Sequence, residues 1–466
     1  MHYEPLENRR LLAVTVELKV TGRLEIIGDD LGNVINIFYE NGTDVLAVDA
    51  DGVVTRFDPD RVRRFDIQTN DGDDIVTVDS GIRAFVRTGE GDDFIRTAGG
   101  NDSLSGGSGN DTLAGGSGND TIGGGFGNDI VLGQAGDDDL SFIGTPPDPG
   151  ETDNNTMNGG SGIDLLRGVG SAGITVNLAL GVATNDTETT QLIAIENVRG
   201  TVEDDSIIGD SGANRLESGS GGNDTIFGLG GPDTLLGDSG DDLLDGGSGD
   251  DEILGDSGND TIFGAGGSDE LDGESGDDSI EGGTGNDTLT GGFGDNVVLG
   301  QGGDDIFSVI GGSTAQTDVL DGGSEIQGDI VQFNTFNRVF ASLDGIANDG
   351  RVDFGDTINL LNIENILGSS GADTLIGDGG PNLLDSRGGS GRHVLRGNGG
   401  DDTLLGSTAS DDVLFGGTGN DVLRGFSGDD LFIADNDGQA DSVEGGVGND
   451  TATVGPEDIL DSIENV

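Results

Sequence analysis

The apolar and polar positions of the chain repeat with a period of nine from Gly228 to Ser308. Leu235, Leu244, Ile253, Ile262, Leu271, Ile280, Leu289, Val298 and Phe307 recur at that spacing, separated by glycines and small or acidic residues. A period of nine fits neither an amphipathic helix nor a simple alternating strand. Four glycine-tolerant positions in each unit predict a tight turn. The remaining triplet, such as Thr234-Leu235-Leu236, leaves room for one very short strand. Turn, strand, turn, strand makes one flattened coil from two units, and stacked coils form a parallel solenoid. The apolar residues then line up as two thin ladders, with the turns in two columns along the outer edges.

Two residues before the apolar position stands an acid. The central run carries Asp233, Asp242, Asp251, Asp260, Asp269, Asp278, Asp287 and Asp305, with Asn296 the exception. The same phase holds Asp93, Asp102, Asp111, Asp120, Asp129 and Asp138 earlier in the chain, and Asp205 and Asp224 just before the central run. Later it holds Asp373, Asp402, Asp412, Asp421, Asp430 and Asp450, while Asn214, Asn382 and His393 depart from it. Stacked strands lie about 4.8 Å apart, so carboxylates in column repel by roughly 1 kcal/mol in water and several times that at lower dielectric. One apolar side chain per unit is a thin core to set against such repulsion. A hard dication between adjacent turns converts repulsion into coordination, with carboxylate and carbonyl oxygens supplying about six to eight ligands for calcium. Binding energy then becomes folding energy. Turn propensity alone does not fix Asp at one phase position, and magnesium resists the dehydration such a site demands.

Units such as GGSGDDEIL (246–254) and GGTGNDTLT (282–290) resemble the calcium-binding nonapeptide GGxGxDxUx of RTX (hemolysin-type) proteins. The resemblance implies an all-β fold of right-handed parallel β-rolls. It also implies that the Asp residues named above bind Ca2+ through their carboxylates while turn glycines lend backbone carbonyls. With sites shared between neighbouring coils, roughly 15–25 ions are expected. RTX proteins commonly carry an uncleaved C-terminal export signal, so the resemblance implies an extracellular, secreted or surface-associated protein. Low intracellular calcium would keep such a chain unfolded for export, and external calcium would fold it.

Around the repeats the pattern suggests tandem modules. Residues 1–87 read as a β-rich N-terminal cap, with alternating runs and hairpin turns at Asn41-Gly42 and Asp51-Gly52. Solenoid ends need such capping. Roll 1 is expected over 88–141, with TNDGDDIVT (69–77) as an earlier, out-of-phase copy. A β-rich connector follows over 142–199, containing one lone unit at Gly159–Arg167. Roll 2 spans 200–308, a second connector 309–367, roll 3 368–433, and a partial C-terminal module 434–466. Both connectors close on Ile-Glu-Asn, at Ile195-Glu196-Asn197 and Ile363-Glu364-Asn365, 168 residues apart. The chain ends on the same motif, Ile463-Glu464-Asn465-Val466, as a chain stopping at a module edge or a fragment would. Glu4 to Leu12 resembles the LEPR-xLL-type segment of certain large bacterial exported proteins.

Composition narrows the function. Among 466 residues there are 92 Gly, no Cys, no Trp, 89 acidic and 20 basic residues, for a formal charge of −69. So acidic a chain would read as disordered without its periodicity. Its charge repels nucleic acid and anionic membranes, and no apolar run is long enough to span a bilayer. His2 and His393 are the only histidines, and no HExxH or Walker loop is present, leaving little for nucleophilic or zinc-dependent catalysis. His393 reads as an exposed turn residue at a degenerate repeat, not a transition-metal ligand. Val48 to Gly52 does not complete an EF-hand loop, because Ala47 would stand at its first position. The expected protein is therefore a non-enzymatic, calcium-dependent structural or adhesive one, with calcium and a cell-surface or matrix polysaccharide or protein as partners. The alternative is a secreted enzyme, polysaccharide-active or another hydrolase, that uses the repeats as its export and folding module.

Overall fold

A computed structural model describes residues 14–40, 45–143, 153–185, 189–310, 315–323, 328–335, 337–353, 356–389, 391–435 and 437–466. The LEPR-like segment, Asn41-Gly42 and the prolines after Thr145 lie outside these residues. The described chain is all β apart from one 3-10 turn at Pro59–Arg61. Two compact units form, one from 1–210 with 214–221, the other from 211–213 with 222–466. They divide inside the expected second roll, where Asn214 and Asp224 are ten residues apart and the period of nine is broken.

The first unit is a parallel solenoid with two main ladders. One runs through Arg23–Ile27, Arg64–Gln68, Ala84–Glu90, Ser103–Ser108 and Thr121–Phe126, each parallel to the next. The other includes Val34–Tyr39, Ile75–Asp79, Phe94–Thr97 and Thr112–Ser117. Residues 1–87 thus contribute stacked coils of their own, continuous in hydrogen bonding with the regular repeats. Their period-two alternation places Leu24, Ile26, Phe65 and Ile67 inside, at 0–1% exposure. Antiparallel excursions such as Leu46–Ala50 with Val53–Phe57 are side branches. Asp51 sits at φ +49° in that hairpin turn, and Asn70 at +72° in the coil turn between Arg64–Gln68 and Ile75–Asp79.

The second unit repeats the plan. One ladder passes from Thr288–Thr290 through Ile306–Ile310 and Ile330–Asn334 to Asn365–Leu367 and Leu383–Asp385 without interruption. The second connector therefore extends this ladder. On the opposite side Asn359–Leu361 ends one ladder, and Val339–Ser342 starts another that continues through Thr374–Ile376 and Val394–Gly399. The apolar residue of each unit is buried in both ladders: Ile253, Ile262, Leu271 and Ile280 are all fully enclosed. Among the described residues no helix is long and apolar enough to cross a membrane.

Candidate metal centre

The turns set the chemistry. Through the central run the third glycine of each loop lies in the left-handed region, as at Gly267 with φ +153°, where a Cβ would also strike the Gly249 carbonyl of the previous coil. The second loop position is left-handed as well, at Gly247 (+97°), Asp256 (+67°), Glu274 (+64°) and Gln301 (+72°). This double left-handed turn reverses the chain over few residues and swings the following Asp inward. The carboxylates are accordingly not on an outer edge, as the sequence pattern suggested. Asp260, Asp269, Asp278 and Asp287 are only 1–2% exposed, because the loop folds over them.

Within a column each Asp uses one oxygen to bind the coil before it. The Asp242 N–H donates to Asp260 Oδ1 (2.9 Å), and the Asp260 N–H to Asp278 Oδ1 (2.9 Å). The opposite column repeats this from Asp251 to Asp269 and from Asp269 to Asp287, both at 2.9 Å. In the first unit the same bonds join Asp93, Asp111 and Asp129, and Asp102, Asp120 and Asp138, at 2.7–2.8 Å. These bonds fix each carboxylate while leaving its second oxygen aimed into the turn. Buried Oδ2 atoms without a hydrogen-bond partner occur at Asp93, Asp102, Asp111, Asp120, Asp138, Asp242, Asp251, Asp260, Asp269, Asp278, Asp287, Asp305, Asp402, Asp421, Asp430 and Asp450. Asp129, Asp224 and Asp233 occupy equivalent buried positions.

What faces that second oxygen explains the first glycine of the motif. A Cβ at Gly264 would lie 2.5 Å from Asp269 Oδ2 and 2.6 Å from the carbonyl oxygen of Gly282, one coil on. At Gly237 the corresponding atoms are Asp242 Oδ2 and the Gly255 carbonyl, both 2.7 Å away. Neither glycine has a left-handed φ, so what the position requires is space. A carboxylate oxygen and a peptide oxygen therefore converge in a pocket closed to water. Two acceptors cannot satisfy each other. Burial lifts Asp111 to about 8 and Asp120, Asp242, Asp278, Asp287 and Asp402 to about 7, against the lowering effect of the N–H bond from the preceding coil. A carboxylate oxygen and a peptide carbonyl are the donor types that a hard divalent cation such as calcium takes.

Some expected positions differ. Asp205, Asp373 and Asp412 do not present the same open oxygen, since Oδ2 accepts the N–H of Thr201 (2.5 Å), Ser369 (2.7 Å) and Ser407 (2.7 Å). These Ser and Thr residues hold the second loop position without a left-handed φ, which turns their N–H groups into the pocket. At Asp93 and Asp102 the space of the first glycine is taken by Thr88 and Thr97. Their hydroxyls donate to the carbonyls of Gly106 (2.8 Å) and Gly115 (2.5 Å). Each threonine hydroxyl stands between the carbonyl and the carboxylate, and its hydrogen bonding also opposes the rise that burial imposes on Asp93 and Asp102. His393 is not exposed but fully buried in the column. Its Nδ1 accepts the Asp373 N–H (3.1 Å), so Nε2 carries the proton and offers a donor where the other rungs offer an oxygen.

Several participants were missed by the nonapeptide reading. Asp74, Asp164, Asp329 and Asp441 join the columns, accepting N–H groups from Asn33, Asp138, Asp305 and Asp421. Asp164 was visible in GGSGIDLLR (159–167), whereas insertions before Asp329 and Asp441 hid them. A second, exposed ladder runs the opposite way through the residue before the buried Asp. There the N–H of Asn259 bonds Asp241 Oδ1 (2.8 Å), that of Asp277 bonds Asn259 Oδ1 (2.8 Å), and that of Asp295 bonds Asp277 Oδ1 (2.9 Å). Beside Asn296 the column changes character. Buried Arg351 binds Asp356 (Nε to Oδ2, 2.6 Å) and Gln316 (3.1 Å), and Gln316 in turn donates to the Gly292 carbonyl (2.7 Å). Here nitrogen donors supply what a cation would supply elsewhere.

The sequence model of the RTX calcium-binding nonapeptide repeat (4 copies) matches residues 87–122, 105–140, 149–168, 194–221, 218–253, 245–280, 272–307, 362–392, 385–411 and 407–438. These ranges cover more than half of the chain. No curated protein matches it.

Proposed function

The chain belongs to the RTX calcium-binding nonapeptide repeat family, and we propose that it is an exported protein that folds on binding calcium and serves as a structural or adhesive element outside the cell. The protein binds multiple calcium ions through its β-roll repeats. The observation that carries the reading is the recurrent pair of a bare Asp Oδ2 and the glycine carbonyl of the next coil, as at Asp242 with Gly255 and Asp269 with Gly282. On this reading Asp111, Asp120, Asp138, Asp242, Asp251, Asp260, Asp269, Asp278, Asp287, Asp305, Asp402, Asp421 and Asp430 hold the ions. When bound, calcium neutralises the converging oxygens and ties each coil to the next.

The chain's own atoms orient these oxygens. The N–H of the preceding coil pins Oδ1, the double left-handed turn aims Oδ2, and the first glycine keeps the pocket clear. With only one apolar residue per unit inside, the coils depend on their corners. In calcium-poor conditions the chain is expected to be loosely ordered, and about millimolar external calcium to fold it. An architecture of stacked repeats throughout the described residues suits a spacer or adhesive stalk. Far-UV circular dichroism with and without a chelator tests the mechanism. A β signal and hydrodynamic radius unchanged by chelation would reject it.

A further inference from the structure

The Ile-Glu-Asn motif, which closes both connectors and the C-terminal segment, lies outside the nonapeptide yet meets the carboxylate columns at all three occurrences. Its glutamate takes over the role of an Asp. Glu196 Oε2 accepts the N–H of Asp164 (2.9 Å), Glu364 Oε2 that of Asp329 (3.1 Å), and Glu464 Oε2 that of Asp450 (2.8 Å). The residue before the motif is left-handed each time: Ala194 at φ +48°, Asn362 at +51° and Ser462 at +55°. None is glycine, so the conformation carries a cost that recurs at the same place. It turns the carbonyls of Ala194, Asn362 and Ser462 into the pockets of Gly159, Gly322 and Gly445, where a Cβ would strike each carbonyl together with the Oδ2 of Asp164, Asp329 or Asp450. Those three Oδ2 atoms are buried without a hydrogen-bond partner, on residues 0–1% exposed.

We propose that each Ile-Glu-Asn motif completes a divalent-cation site of its own, formed by Asp164 with the Ala194 carbonyl, Asp329 with the Asn362 carbonyl, and Asp450 with the Ser462 carbonyl. The ligand class is a hard dication such as calcium. At these rungs a loop shorter than the nonapeptide turn supplies the second half of the site. The longer glutamate side chain spans to the N–H that an Asp on a full turn would reach. Contrast within the molecule supports this assignment. At Asp205, Asp373 and Asp412 a loop N–H fills the pocket, whereas at the three motif rungs a carbonyl oxygen faces the carboxylate and leaves an acceptor pair that only a cation or a proton can reconcile. The run of N–H to carboxylate bonds thus stops on a glutamate at a filled site, while the strand ladder runs on past it, as from Asn365–Leu367 to Leu383–Asp385.

The inference rests on the calcium reading above, and calcium stoichiometry of the full chain, by equilibrium dialysis against radioactive calcium, separates the two. The triple variant D164N/D329N/D450N should bind three fewer ions than the parent, while D205N/D373N/D412N binds as many as the parent. E196Q/E364Q/E464Q keeps the N–H acceptor but removes the charge, and should weaken three ions about tenfold at an unchanged total. Should the first triple variant not fold, the glutamine variants provide the test through the titration curve. A parent chain that binds no calcium defeats the functional reading. A parent that binds calcium, with D164N/D329N/D450N binding equally many ions or the glutamine variants titrating as the parent does, defeats this inference alone.

Discussion

Substituting alanine for the first glycine of one loop separates a need for space from a need for backbone freedom. Gly264 has no left-handed φ, so its backbone accepts alanine, and relief of unfolded-chain entropy alone would stabilise the protein by about 0.4–1 kcal/mol. The added Cβ, however, would sit 2.5 Å from Asp269 Oδ2 and 2.6 Å from the Gly282 carbonyl. Ordinary contact needs nearly an ångström more, and a metal site tolerates displacements of only about 0.2 Å. Gly264→Ala should therefore abolish one site. At calcium near a hundred times its dissociation constant, one lost ion removes about 2.7 kcal/mol, which outweighs the entropic gain. Gly302→Ala is the control, since it too lacks a left-handed φ and its Cβ would meet nothing nearer than 3.7 Å. Denaturant unfolding in saturating calcium should place Gly264→Ala about 2 kcal/mol below the parent and Gly302→Ala at or slightly above it, and dialysis should find one ion fewer only for Gly264→Ala. Equal stoichiometry and equal midpoints for both variants would refute the convergent-oxygen pocket.

Acidity should act oppositely on the chelated and the calcium-loaded chain. Asp111, Asp278 and Asp260 rise from 3.8 to about 8, 7 and 6 in the folded state through burial. Between pH 4 and those values the folded form holds protons the unfolded form lacks, so metal-free stability is present below about 4 and lost as pH rises through about 6–8. Circular dichroism in chelator should show more β structure at pH 5 than at pH 8, and calcium should reverse the order; greater unfolding of the chelated chain at pH 5 would contradict the buried-carboxylate picture. Thr88→Gly and Thr97→Gly should open the pockets of Asp93 and Asp102, raising the calcium count by up to two in dialysis, and an unchanged count would mean that the threonine hydroxyls do not occupy those sites. Arg351→Met leaves Asp356 buried and unpaired, at a cost of about 3–5 kcal/mol. The loss should appear in thermal unfolding with or without calcium, and a loss confined to the loaded chain would show that Arg351 acts on the metal sites instead.

Much of the architecture was legible because a period-nine pattern has few solutions. Leu235 and its successors had to stack, and Asp at one phase had to meet Asp one coil away. The sequence also marked Asn296, Asn382 and His393 as departures. It did not reveal that the carboxylates lie inside the turns, nor that His393 is buried among them. It placed Asp205, Asp373 and Asp412 with the rest, because the difference lies in the φ of Thr201, Ser369 and Ser407 and in where their N–H groups turn.

The order of residues alone determined the repeat, the stacked apolar ladders, the oxygen-rich corners and the calcium chemistry, since these depend only on spacing within a unit and on which side chains occupy each phase. Tertiary structure decided which corners are open. Each pocket is assembled from atoms one coil apart, such as Asp269 and Gly282 or Asp164 and Ala194, and insertions set which coils become neighbours. A carbonyl or an N–H entering the pocket differs by one backbone rotation, and that rotation is fixed by the surrounding stack, not by the identity of the Asp.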